Sequence, residues 1–391
     1  MTIDFALPPV VWSLLAASVI LGLGYALWQW HRARVLTRHA AACEEAGVAG
    51  GGEPLGVSVI VDGRNEIGEL RHCLPHFLHQ DYPRFEVIVV AGDQNEAASD
   101  TLSEFRAQFD NLKVTFTPRD SRALSPKKLA LMLGIKASQY PVVLTTTANC
   151  RPSSERWLSL MMSRFEPGVD VVLGYSHYRY SRDRGSGRFY RVFDTVSTGA
   201  QWLVSAITGH PYRGTSDNLA YRREVFDAHK GFSELLHLQW GDDDVWVSRI
   251  ATAANTRVQL ARESQLHAHY DHMSHAHSVL KMRRDFTSSL VRRWPRVSQS
   301  LASLAAIGHL ATAIAAVALQ PTSPVVIVAA LLSLLLTWPA AIAAVRRQCR
   351  VLGAPQLLLS VPLFALWRPV VNCFYSLQER RHRRSNYTIY G

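Results

Sequence analysis

Residues 55–90 read LGVSVIVDGRNEIGELRHCLPHFLHQDYPRFEVIVV. Two runs rich in β-branched residues, Val57–Val61 and Phe85–Val90, enclose a stretch, Glu69–Gln80, whose apolar residues recur at helical spacing. Short continuous apolar runs suit strands covered on both faces, and parallel neighbours of that kind need a crossover helix between them. The alternation continues downstream. Strands are expected at Lys113–Phe116, Val142–Thr145 and Val171–Gly174, and helices at Ala98–Phe109, Pro126–Ser138 and Ser154–Phe165. Residues 55–295 are therefore predicted to form an α/β domain with a mostly parallel sheet. In such sheets ligands collect beyond the carboxyl ends of the strands, so the loops after residues 61, 90 and 145 carry the functional reading.

Around this domain the chain turns apolar. No Asp, Glu, Lys or Arg occurs from Phe5 to Trp30, and about 20 such residues cross a hydrocarbon layer about 30 Å thick. Basic residues follow that stretch (Arg32, Arg34, Arg38) rather than precede it, which favours a spanning helix over 5–30 with its N-terminus outside over a signal peptide. Residues 31–54, containing Gly47 and Gly50 to Gly52, read as a linker. Two further spans, 297–319 and 324–345, form a hairpin flanked by Arg292, Arg293 and Arg296 on one side and Arg346, Arg347 and Arg350 on the other. The expected topology puts the domain on the cytoplasmic face of the plasma membrane. Residues 351–377, interrupted by Arg368-Pro369, read as re-entrant or interfacial, with a fourth span as the alternative. Residues 378–391 read as a basic cytoplasmic tail.

Composition narrows the class. Hydrophobic residues make up 48% and charged ones 19%, which excludes a disordered chain. Lys and Arg number 42 against 31 acidic residues. Because the excess sits beside apolar segments, membrane lipids are the expected partners and nucleic acid is not. Five cysteines without CxxC spacing indicate neither a zinc ribbon nor a disulfide framework. His267, His269, His272, His275 and His277 crowd into eleven residues. Their run crosses a strand-to-helix junction with no partner cysteine, which argues for pH-dependent surface charge rather than a zinc site.

Six blocks carry a family resemblance: VSVIVDGRNEIGEL (57–70), CLPHFLHQDYPRFEVIVV (73–90), SPKKLALMLGIKAS (125–138), VVLTTTANCRPSSERWL (142–158), SDNLAYRREVFDAHKGF (216–232) and WGDDDVWVSRI (240–250). In this order, and beside membrane helices, they resemble family 2 glycosyltransferases of the membrane-anchored, lipid-linked or processive branch. The resemblance implies a GT-A-like nucleotide-sugar-binding domain that transfers sugar, with inversion, from a nucleotide-sugar donor to a lipid-linked or glycan acceptor. It also implies a divalent cation, Mn or Mg.

The resemblance assigns roles by position. Asn65 and Glu66 match the first donor loop, although a stabilised helix start explains Glu66 equally well. In the second loop Asp93 is the carboxylate available to the nucleoside, with a helix cap as the plain alternative. The third loop should hold the metal in an Asp-x-Asp motif, but the chain reads Thr147-Ala148-Asn149, so Thr147 and Asn149 offer only a weak site or none. Lys127, Lys128, Arg283 and Arg284 are then the cations available to the diphosphate. Arg293-Trp294 resembles the end of the family's Gln-x-x-Arg-Trp motif, with Leu290 in the Gln position; an interfacial anchor is the other reading. Asp242, Asp243 and Asp244 occupy the place of the general base, with Asp242 favoured and Asp243 next. The lost Asp-x-Asp keeps open a second reading, a catalytically degenerate scaffold subunit.

Overall fold

The computed structural model describes residues 8–48, 53–64, 67–92, 96–118, 125–178, 183, 185–270 and 272–386. The chain divides into two units. One gathers Met1–Thr37, Ser186–Gln201 and Arg293–Arg380; the other gathers Arg38–Gly185, Trp202–Arg292 and Arg381–Gly391.

The second unit is mixed α/β. Its parallel core consists of β1 (Val57–Asp62), β2 (Phe85–Gly92), β3 (Leu112–Thr117) and β4 (Val142–Thr147), covered by α2 (Ile67–Leu78), α3 (Glu96–Arg106) and α4 (Pro126–Ala137). Val57, Val59, Ile60 and Val61 of β1 and Val87 to Val90 of β2 are fully buried, so these strands need no polar face. Helix α4 crosses the sheet closely: a Cβ on Gly134 would lie 2.5 Å from Ile60 Cγ2.

Beyond β4 the topology changes. Three short elements, β5 (Cys150–Pro152), α5 (Trp157–Met162) and β6 (Val171–Leu173), are followed by β7 (Ser176–Tyr178), α6 (Arg188–Ile207), β8 (Leu219–Arg222), α7 (Arg223–Ala228), α8 (Asp244–Ile250), β9 (Thr256–Val258), β10 (Leu266–Ala268) and α9 (Met273–Thr287). The main sheet runs β3-β2-β1-β4-β8-β6-β9, and β5, β10 and β7 form a second sheet. Strand β8 is antiparallel to both neighbours, β4 and β6; the remaining pairs of the main sheet are parallel. Its reversal brings the residues just before β8 to the end of the sheet where β1 and β4 finish, with Asp62 and Thr147 in register.

The helical unit contains α10 (Trp294–Leu319), α11 (Pro324–Val351), most of α12 (Ser360–Asn386), the first part of α1 (Pro9–Ala46) and residues 188–201 of α6. Helices α1, α10 and α11 are long and apolar enough to cross a membrane. Their contact is polar at one level. His309 hydrogen-bonds Ser18 (3.0 Å) and Thr337 (2.9 Å), and Ser18 meets Ser333 at 3.2 Å. Interhelical hydrogen bonds of this kind fix the register of the three helices.

One expectation changes. The linker foreseen from residue 31 is helical as far as Ala46, because residues 31–46 contain neither glycine nor proline and include the strong helix formers Ala40 to Ala42. The helix ends at Gly47, whose φ of +52° suits a left-handed cap. Its last turns are fastened to the α/β unit by a His39 bond to the Val258 carbonyl (2.9 Å) and by Glu44, which accepts from the Arg262 amide (2.5 Å). After a turn at Gly353 (φ +62°), α12 is one helix that continues through Pro369 and into the expected tail.

Candidate active site

The carboxyl ends of β1 and β4, the approach to β8, the start of α8 and the body of α9 converge in the α/β unit. Gly241 initiates the arrangement: its φ of +104° is open to glycine and strained for other residues. The turn lets Asp243 cap α8, its carboxylate accepting from the Asp244 amide at 2.7 Å. All three aspartates are buried in the residue as a whole, and each has a separate set of partners.

Asp242 is held by Arg283 of α9, with Nη2 2.7 Å from Oδ1, and by Lys127 of α4, with Nζ 3.3 Å from Oδ2. Burial opposes its ionisation, but Arg283, Lys127 and Lys128 outweigh burial and keep the carboxyl well below the usual carboxylate range. Asp243 accepts from the Ser216 amide (3.4 Å) and pairs with the same Arg283 Nη2 (2.9 Å). Its side chain is 12% exposed, against 1% for Asp242. Asp244 pairs with Arg213 (3.2 Å) and accepts from the Thr287 hydroxyl. Burial and the charge of Asp243 push its carboxyl up to about 6 despite both partners. Burial works against the Arg283 charge, yet Asp242, Asp243 and Asp244 together raise its pKa further.

The two lysines of α4 separate. Lys127 is part-exposed and donates to Ser216 Oγ at 2.6 Å besides its pairing with Asp242. Lys128 is fully buried and donates to the carbonyls of Leu238 (2.6 Å) and Trp240 (2.9 Å). Burial brings its ammonium down to about 8 against the pull of Asp242. The expectation that Lys128 meets a diphosphate is thus corrected: both carbonyls are on the loop leading into the aspartates, and the lysine braces that loop.

At the third loop, the Thr147 hydroxyl donates to Asn149 Oδ1 (2.7 Å), while Asn149 Nδ2 donates to the His269 carbonyl (2.9 Å). Asp217, to which sequence reading gave no role, lies 3.5 Å from Thr147 Oγ1 and accepts from Ser176 Oγ at 3.1 Å. The reversal of β8 puts it there, a placement with no signature in local spacing. A hard divalent cation calls for several charged oxygens. Here one carboxylate faces a hydroxyl and an amide oxygen already engaged with each other. No group of three or more His, Cys, Asp or Glu that could hold a metal occurs among the described residues. These residues do not fit a resident divalent cation.

Arg284 is partly exposed and makes no ion pair with the triplet. Arg293 and Trp294 belong to the helical unit, at the start of α10, and Trp294 is 69% exposed. Asn65, Glu66 and Asp93 lie outside the described residues. Arg213, Ser216 and Thr287 join the site without having been foreseen.

A model of glycosyl transferase family 21 matches residues 14–375, whereas the motif blocks taken alone resemble family 2. Among characterised or named proteins, the chain is 24% identical to Glycosyltransferase AglE of Haloferax volcanii over 200 residues, covering 50% of this chain and 62% of that protein. It is 25% identical to Probable glycosyltransferase YdaM of Bacillus subtilis over 185 residues, covering 46% and 43%. The chain thus spans less than two thirds of the length of either relative. Among solved structures, the mannosyltransferase PcManGT from Pyrobaculum calidifontis, in complex with GDP-Man and Mn2+, aligns with a TM-score of 0.48 at 18% identity and covers 94% of this chain and 96% of its own. S. aureus TarS 1-349 in complex with UDP-GlcNAc aligns with a TM-score of 0.41 at 13% identity, covering 85% and 92%.

Proposed function

The chain belongs to glycosyl transferase family 21, and from that premise we propose that it is a membrane-bound inverting glycosyltransferase. In this reading it moves a sugar from a nucleotide-sugar donor to a lipid-linked or cell-surface glycan acceptor at the cytoplasmic face. The observation that carries the proposal is the Asp242–Asp244 triplet at the carboxyl end of the sheet, bound to Arg283 and Lys127.

The acceptor hydroxyl oxygen attacks the anomeric carbon, the bond from that carbon to the diphosphate oxygen breaks, and the hydroxyl proton passes to a carboxylate. Asp243 is the proposed base. Asp242 is poorly suited, because Arg283 and Lys127 stabilise its ionised form and solvent hardly reaches it. Asp243 is the more accessible of the two and is held in position by the Ser216 amide. Lys127 and Arg283 supply positive charge beside the departing diphosphate, electrostatic help that is strongest in a site poor in water. Asp244, short of charge compensation and bonded to Thr287, supports the loop.

A scaffold role is the second reading, favoured by the neutral Thr147–Asn149 pair. The deciding experiment is titration of the purified full chain with UDP-sugars and GDP-sugars, with and without Mn2+, followed by product analysis. Saturable binding of one donor with release of its nucleoside diphosphate supports the transferase. Failure to bind any donor would overturn it and favour the scaffold.

A further inference from the structure

Helix α12 is amphipathic in the reverse of the usual sense. Leu363, Trp367, Val370, Phe374 and Leu377, spaced by four and three residues, are all exposed, while Val361, Ala365, Arg368 and Glu379 are buried. That spacing puts the exposed residues on a single face of the helix. The inward side carries charge instead: Arg368 Nε is 2.8 Å from Asp194 Oδ1 of α6, and Arg368 Nη2 donates to Thr198 Oγ1 at 3.0 Å. Around this pair, Phe364 packs edge-on against Tyr190 and at a tilt against Phe193.

The depth of this contact can be read within the helical unit. One turn along α6 from Asp194, the Ser197 carbonyl accepts from Arg32, the first formally charged side chain after the uncharged run of α1. Gln201 donates to the Pro295 carbonyl at the start of α10 (2.7 Å), and Arg32 reaches Gln299 at 3.5 Å. Asp194 and Arg368 therefore sit level with the ends of the apolar stretches of α1 and α10, where hydrocarbon gives way to headgroups. Arg368 is near the middle of the apolar stretch Val361–Leu377, which could not hold that level if the stretch crossed the bilayer.

We infer that α12 lies in the plane of the membrane interface, pinned to α6 by the Arg368–Asp194 pair, with its Leu363–Leu377 face immersed in the lipid of a bilayer. An apolar face of five large residues needs a non-aqueous neighbour. Phospholipid fits because the face belongs to the same unit as three membrane-length helices. Arg380, exposed three residues beyond Leu377, complements anionic headgroups. This inference is independent of the transferase reading, since it concerns lipid contact and not chemistry at the aspartates.

The test uses nitroxide labels on the full chain in vesicles of phosphatidylcholine and phosphatidylglycerol. Cys373 is the one exposed cysteine of the five and can be labelled without substitution. Leu363→Cys, Val370→Cys and Leu377→Cys, each combined with Cys373→Ser, sample the face. Accessibility to oxygen and to a water-soluble nickel chelate reports depth. An in-plane helix gives high oxygen and low nickel accessibility at Leu363, Val370 and Leu377, at one shared depth, with Cys373, about 80° round the helix from that face, nearer the headgroups. A steady change in depth across the roughly 21 Å from residue 363 to 377 would make α12 a fourth span and overturn the inference. High nickel accessibility throughout would overturn it in favour of water. Spin–spin broadening that vanishes on dilution with unlabelled chain would assign the face to a second copy. Should the substituted chains fail to fold, the Cys373 label alone still separates lipid from water.

Discussion

Arg283 of α9 lies 2.7 Å from Asp242, a residue 41 positions earlier in the chain, and its same Nη2 atom lies 2.9 Å from Asp243. One guanidinium thus ties α9 to two of three adjacent carboxylates. Without it, burying three like charges side by side would be prohibitive.

The division of labour between the first two aspartates is measurable. Asp243→Asn is expected to lower the transfer rate by about 10²- to 10⁴-fold, the usual worth of a general base, with donor affinity nearly unchanged. Asp242→Asn, which removes one partner of a buried pair, is expected to lower stability by about 1–3 kcal/mol and to weaken donor binding as well. Steady-state kinetics and thermal melts of both variants decide the matter; wild-type turnover in Asp243→Asn would exclude it as base.

The two neighbouring lysines should respond differently. Lys128→Met strands the carbonyls of Leu238 and Trp240, a loss of about 1–3 kcal/mol visible as a lower Tm. Lys127→Met, which leaves Asp242 still paired with Arg283, should lower Tm less and reduce affinity for a nucleoside diphosphate. Equal drops in Tm would contradict this assignment.

Asp244 introduces a pH dependence of stability. Its carboxyl titrates near 3.8 when unfolded and about 6 in the fold, so the folded state binds the proton more tightly. This group's contribution therefore makes stability fall as pH rises from about 4 to about 6, with the full loss present above that window. Asp244→Asn keeps the shape and removes the titration. The Tm of the variant relative to wild type should rise across that window and level off above it; a flat difference would refute the role of burial here.

Gly241→Ala is expected to destabilise the α8 turn. A φ of +104° costs a residue with a side chain about 1–3 kcal/mol, and the new Cβ would lie 2.9 Å from Val245 Cγ2. Because Asp242 follows directly, transfer should decline along with Tm. A fully active, equally stable variant would show that the turn tolerates another conformation.

Divalent-cation dependence should be weak in the wild type, since Thr147 and Asn149 satisfy each other. Asn149→Asp adds a carboxylate to the place where Asp217 already lies near Thr147, and should increase the affinity of the donor complex for Mn2+. Calorimetric titration of Mn2+ with donor present checks this. A wild-type enzyme silenced by chelator and indifferent to the substitution would place the metal elsewhere.

Much of the molecule is legible from local pattern. The strands of the parallel core, the helices between them and the apolar segments announce themselves through periodicity and charge-free length, because each is specified by its own burial. The aspartate triplet is similarly visible, since three adjacent acids repel one another and call for compensation from elsewhere in the fold. What sequence could not supply is which distant groups neutralise them. Arg283 and Arg284 are neighbours in sequence, yet the former points into the acidic cluster and the latter does not, a choice made by how α9 packs. Lys127 and Lys128 diverge for the same reason: 100° of helical rotation sends one to Ser216 and Asp242 and buries the other under the Leu238–Trp240 carbonyls. Asp217 reaches the third loop only because β8 runs antiparallel between β4 and β6, and Arg368, which by sequence merely interrupts an apolar run, finds Asp194 only once α6 lies against α12. Periodicity is a property of one segment and can be read along it. Charge compensation in a buried site is a property of several segments, and folding alone brings them within a few ångströms.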